Sequence, residues 1–176
     1  MQITDKQLQQ IYPYSTSYNR DKYLPYINTF TIEYAMDTYE ILCAFLAQIG
    51  HESGQLRYVE EISSGKAYEN RKDLGNIRKG DGVMFKGRGL IQITGRTNYT
   101  SLSKDSDIDF VANPNLLKEP VYAVFSAFWF WKKHNLNRFS TLNETDFKTL
   151  TRKINGRLNG YESRRQLWKQ AIKTLL

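Results

Sequence analysis

Seven glycines fall between Gly65 and Gly95, ends included, in a chain of 176 residues that holds 11 in all. A regular helix cannot run through such a stretch, because each interior glycine costs about 1 kcal/mol relative to alanine. The glycines instead mark turns and close backbone approaches. The flanking segments read differently. "DTYEILCAFLAQIG" places Ile41, Leu42, Phe45, Leu46 and Ile49 on one helical face and should end between Gly50 and Gly54. "ITDKQLQQIY" predicts a short helix capped by Thr4 or Asp5. "NRDKYLPYINTFTIEYAM" predicts helical pieces interrupted at Pro25, and "EPVYAVFSAFWFWKKH" a strong helix with Pro120 in its first turn. "ETDFKTLTRKI" and "ESRRQLWKQAIKTLL" predict two more helices. Within the glycine region, "GLIQIT" predicts a short strand with "VMFKG" as its partner. The expectation is a mainly α domain of α+β type, with a glycine-rich loop region across one side.

The length suits a single domain spanning 1–176, large enough to bury a core without disulfide or metal. The one cysteine, Cys43, lies in an apolar run, where a buried thiol is expected rather than a reactive one. The first residues, "MQITDKQLQQIYP", are polar and lack the apolar stretch of a signal peptide, and no segment reaches the roughly 20 apolar residues of a membrane span. The expectation is a protein made in a bacterial cytoplasm and released later to its site of action, without stable insertion into the membrane. The formal charge of +7 favours an acidic, extended partner. The cations are scattered, however, and no nucleic-acid motif is present, so no nucleic-acid partner is expected.

Several chemistries fail on residue type. His51-Glu52 begins like the H-E-x-x-H zinc motif, but Gln55 stands where the second histidine is required, and the only other histidine is His134. No metal ligand set is expected. Gly82 and Gly87 have the glycine spacing of a phosphate-binding loop, yet Arg88 and Gly89 replace its Lys and Ser or Thr. Serine or cysteine nucleophiles would need a histidine base, and none is convincingly paired. What remains is carboxylate chemistry without a cofactor. Glycosidic bond cleavage uses two acids in unlike settings, one protonated to donate to the leaving oxygen and one ionised to activate water or attack carbon. An acid at the end of an apolar helix is partly desolvated, which favours its protonated form, whereas one in a polar loop stays charged. Glu52 and Glu61 match that division, as donor and base. On its own this pattern is weak, since any glutamate at a helix end would satisfy it.

Four further words change the weight of the pattern. "FLAQIGHESGQLRYVEE", "AYENRKDLGN", "GDGVMFKGRGLIQITGRTNY" and "TRKINGRLNG" occur in this order. Together they resemble the family 19 glycoside hydrolases, chitinases and the related phage and bacterial cell-wall lysins, over about residues 38 to 168. The resemblance implies a two-lobed, lysozyme-like helical fold with a short β-hairpin or small sheet beside the cleft. It also implies inverting hydrolysis, with carboxyl groups roughly 6.5–9.5 Å apart. In this reading Glu52 matches the general acid, Glu61 the base, and Thr94 the hydroxyl that helps hold the attacking water. Adjacent Glu60 leaves a one-residue ambiguity, sharpened because the stretch continues Ile62-Ser63-Ser64-Gly65 where lysins often have Asn-Leu-Asn-Tyr. Gln92, Asn98 and Asn155 match sugar-binding amides, which can donate to and accept from hydroxyls. Arg164 matches an arginine that orients the acidic centre, and His51 a helper of the acid. Tyr58, Tyr68, Phe85 and Tyr99 offer flat surface for sugar rings or, equally, core packing. Thr97 stands where plant members have a tyrosine, so one sugar contact is missing.

Chitin and peptidoglycan share β-1,4-linked N-acetylated sugars, but the bacterial wall is the more anionic, and the +7 charge tilts the expectation to peptidoglycan. A monomeric endolysin with lysozyme-like activity is the leading expectation. A chitinase is the alternative within the class, and a wall-binding module that does not cut is the alternative outside it.

Overall fold

The computed structural model describes residues 2–176. Its longest apolar run becomes the central helix. Helix α1 spans Asp5–Ile11 and opens with a capping box in which Thr4 and Gln7 satisfy each other's backbone groups. Helix α2 runs Ser17–Glu33, and α3 runs Tyr39–Glu52. Every residue of α3 from Leu42 to Gly50 is buried, so this helix is enclosed on all sides. Cys43 is among them, and burial, with Glu40 nearby, pushes its thiol up to about 12, which leaves it inert. Helix α8, Tyr161–Leu175, packs along α3, and α6, Pro120–Lys133, brings Phe128 and Trp131 onto Phe45 at ring-centre distances of 4.3 and 5.2 Å. Helix α7, Glu144–Asn155, joins this group through a stacked pair, Phe147 on Trp168. No helix among the described residues is long and apolar enough to cross a membrane.

The last turn of α3 is held from outside. Tyr12 sends its hydroxyl to the Leu46 carbonyl, and its ring fills the space in which a side chain on Gly50 would stand.

Two expectations need correction. Pro25 does not interrupt α2, which continues through it as one helix. Tyr23, Ile27 and Thr31 recur at helical spacing on its buried face, and that packing outweighs the local cost of proline. The expected strand pair is also reduced. No named strand forms among the described residues, only isolated antiparallel bridges from Arg88 to Glu60 and to Ile93. Gly89 and Gln92 both take positive φ, so "GLIQ" is a tight turn that returns the chain upon itself after one bridge. Its tip is tied to α6 by Leu90 N–H donating to the Ala123 carbonyl. The would-be partner segment instead contains a helical turn, α4, Asp81–Met84. Helix α5, Arg96–Ser106, which no apolar periodicity announced, follows the turn.

Candidate active site

The end of α3 presents Glu52, and α8 supplies its partner. Arg164 Nη2 donates to Glu52 Oε1 at 2.5 Å, while the arginine side chain is only 1% exposed and the glutamate 20%. The guanidinium is itself fixed: Nη1 donates to Gln48 Oε1 at 2.7 Å, and Gln48 in turn donates to the Thr151 hydroxyl of α7 at 3.0 Å. Gln48 precedes Glu52 by one helical turn and was missed from sequence. It is the one polar side chain in the apolar part of α3, a signal that was there to be read. Arg164 is therefore engaged with Glu52 and Gln48. His51 sits beside them with Nδ1 3.0 Å from Ser163 Oγ, and burial first, then Arg164, lowers its pKa against the opposing effect of Glu52.

The second carboxylate stands in an unlike setting. Glu61 Oε1 accepts from Ser63 Oγ at 2.6 Å and from Tyr68 Oη at 3.0 Å, and its backbone pairs with Gly87. The divergent Ser63 thus holds the Glu61 carboxylate directly. Consecutive residues on extended backbone face opposite ways, and Glu60 accordingly turns to Arg88, Lys86 and Lys118 at 3.0, 3.6 and 3.7 Å. Burial raises its carboxyl, but those three cations outweigh it and hold it below the usual range. Glu60 is thus engaged by cations, whereas Glu61 is the carboxylate beside Gly87.

Thr94, Gln92 and Glu61 converge on one point. A Cβ on Gly87 would lie 2.7 Å from Gln92 Oε1, 3.3 Å from Thr94 Oγ1 and 3.4 Å from Glu61 Oε2. Thr94 gives its proton to the Gln92 carbonyl at 2.9 Å, which leaves its oxygen to accept. Gln92 and Asn98 each anchor their amide nitrogen on a backbone carbonyl, of Gly89 and Thr94, at 3.0 and 2.8 Å. Their side-chain oxygens remain available to a ligand.

The amide-bearing candidates share one groove, beside which the two carboxylates stand. Gln92, Thr94 and Asn98 line a hollow of about 320 Å³ together with Tyr68 and Arg71, and Asn155 and Phe130 close its far side. Asn155 donates to the Asn159 carbonyl at 3.2 Å, which also accepts from Arg164 at 3.4 Å, so the hollow is tied to the Glu52 pair. Asn155 also accepts from Arg157 N–H, so it both shapes the turn after α7 and lines the groove.

Tyr99 is a correction. It is fully buried, its hydroxyl donates to Lys86 O and receives Arg88, and its ring packs on the equally buried Phe85. Neither ring reaches sugar, because α5 turns that face into the core. Tyr68 holds Glu61, and Tyr58 is exposed in a neighbouring hollow beside His51.

Residues 7–161 match the family described as "Chitinase class I", glycosyl hydrolase family 19. A glycosyl hydrolase family 19 domain-containing protein of Haemophilus influenzae is 32% identical over 166 residues, covering 74% of this chain and 78% of the relative. An endochitinase of Arabidopsis thaliana is 38% identical over 116 residues, 65% of this chain and 38% of the relative, so the chain spans about two fifths of that protein's length. Among solved structures, the class IV chitinase of Zea mays superposes with a TM-score of 0.75 at 25% identity, covering 98% of this chain and 92% of the other. Chitinase C of Streptomyces griseus superposes at 0.77 and 24% identity, over 98% of this chain and 76% of the other, a likeness of fold. The chain belongs to glycosyl hydrolase family 19, and its fold is the lysozyme-like helical fold of that family.

Proposed function

We propose that residues 1–176 act as one monomeric catalytic domain that hydrolyses β-1,4 bonds between N-acetylated sugars of bacterial peptidoglycan, with inversion. The observation that carries this reading is the convergence of Glu61, Thr94 and Gln92 beside Gly87, next to a groove tied through Asn159 and Arg164 to Glu52. Glu52 gives its proton to the leaving oxygen, and Arg164 stabilises the carboxylate that results. Glu61 takes a proton from a water whose other O–H donates to Thr94, and that water attacks the anomeric carbon from the opposite face. The hydrogen bonds from Ser63 and Tyr68 aim Glu61 for this role. The amides of Gln92 and Asn98 suit hydroxyl and acetamido groups.

The charge of +7 favours the anionic wall polymer. The chitinase relatives favour chitin as a second reading. Turbidity of outer-membrane-permeabilised cells should fall with the wild type, and Glu52→Gln should slow it about 10³-fold while leaving the fold intact. Equal clearing by the two would remove Glu52 from the mechanism. Mass spectrometry of products from purified peptidoglycan and from chitin oligomers separates the substrates, and the anomer first formed reports inversion.

A further inference from the structure

A second hollow, of about 480 Å³, lies away from the groove where α1, the turn after it and the outer face of α8 meet. Its chemistry differs from the rest of the surface. The chain is 24% charged, yet none of the residues lining this hollow carries a charge. Four are glutamines, Gln10, Gln55, Gln166 and Gln170, and they surround an apolar floor at Leu167 with the ring of Tyr14 at the rim. Tyr14 is 72% exposed, so its ring is accessible to a ligand in the hollow. Gln55 takes positive φ, and its side-chain oxygen accepts from Tyr14 N–H at 2.9 Å, which sets the two residues against each other and leaves the amide hydrogens free to donate.

A neutral ligand with an apolar face and many hydroxyls fits this lining. Peptides of the wall and nucleic acids bring charges that find no counterpart here, whereas sugar rings offer C–H faces to tyrosine and leucine and hydroxyls to glutamine. The hollow is also continuous with the site. Tyr14, Gln55, Ser163 and Leu167 line both it and an adjacent hollow of about 370 Å³ that reaches His51, the residue before Glu52.

We propose that the hollow between α1 and α8 is an accessory binding site for a β-1,4-glycan strand, engaging its uncharged N-acetylglucosamine units and holding the polymer beyond the residues that cut it. This rests on the glycan reading of the groove above. The site adds nothing for an oligomer short enough to lie in the groove, and it adds affinity for a long or insoluble chain that engages both places at once.

The test uses the full chain carrying Glu52→Gln, with a soluble N-acetylglucosamine hexamer as probe and side-chain amide signals followed by NMR. Shifts at Gln166 and Gln170 support the proposal. Shifts confined to Gln92, Asn98 and Asn155 overturn it and leave the groove reading intact. Shifts at neither place overturn both. Kinetics give an independent check. The double substitution Tyr14→Ala with Gln166→Ala, both exposed positions, should leave kcat/KM on short oligomers within about twofold and lower the rate on insoluble polymer about fivefold to tenfold. An equal loss on both substrates, or none on either, overturns the proposal.

Discussion

Glu52 and Glu61 are held by unlike backbones. Glu52 stands on a regular helix whose buried turns carry an ion pair and a chain of side chains, Arg164, Gln48 and Thr151. Glu61 stands on backbone that makes single bridges and tight turns, and its neighbours are placed by glycines and by residues of positive φ. The helical side is therefore broken by losing side chains, and the loop side by gaining them. An ion pair in a helical core fixes a carboxyl group through its partners. The turn side adds to its two hydroxyl partners, Ser63 and Tyr68, a backbone so close that a further side chain has no room.

The sharpest test of this difference is at the base. Glu61→Gln should lower turnover about 10³-fold, whereas Glu60→Gln should stay within about fivefold of wild type, since Glu60 faces three cations and not the groove. Steady-state kinetics on solubilised wall fragments decides between them, and a reversal of the two effects would exchange their roles. Next comes Gly87→Ala. Its φ is ordinary for any residue, so the fold should survive, but the added methyl would press on Gln92, Thr94 and Glu61. A loss of kcat of about 10²-fold is expected with nearly unchanged Tm. Retained activity would mean that the point beside Gly87 is not used.

On the helical side Arg164→Ala should do the reverse, costing stability as well as rate. It strips a buried hydrogen-bonding hub, and a loss of about 3 kcal/mol is expected, a fall in Tm of roughly 6–12 °C by calorimetry. The smallest effect is at Asp81, which supports the loop side. It accepts two hydrogen bonds from Arg96 and others from the Ile77 and Arg78 amides. The Arg96 hydrogen bonds come first among the causes that bring its carboxyl down to about 2, against the opposing effect of burial. Because the folded value lies below the unfolded one, its contribution is full above about pH 4 and is lost as pH falls towards 2. Asp81→Asn should cost about 2 kcal/mol at neutral pH, and urea titrations should show the gap to wild type closing in that acid window.

The same contrast explains what could be read from sequence. The helices were legible because α3, α6, α7 and α8 carry apolar residues at a steady spacing, and Glu52 was legible because α3 visibly ends there. Pro25 misled because the packing that retains it comes from other helices. The loop side resisted because its order lies in φ values and single hydrogen bonds, which leave no periodic trace. Glycine density announced turns, but not that "GLIQ" would fold back after one bridge. Tyr99 looked available because a tyrosine in a polar stretch carries no sign of which way α5 turns it. The family words located Thr94, Gln92 and Asn98 where local chemistry alone left them ambiguous. Ser63 lay in the one place where those words diverged, and only the hydrogen bond to Glu61 gave it a role.

Tyr12 and Gly50 have a consequence at a distance. With the tyrosine ring lodged against the bare backbone of Gly50, the turn that ends in Glu52 cannot slip or unwind without expelling an aromatic wedge. The residue that closes the opening helix thereby serves as a doorstop for the end of α3 that carries Glu52. Trimming the chain's beginning would be felt as a misplaced Glu52 before it was felt as melting.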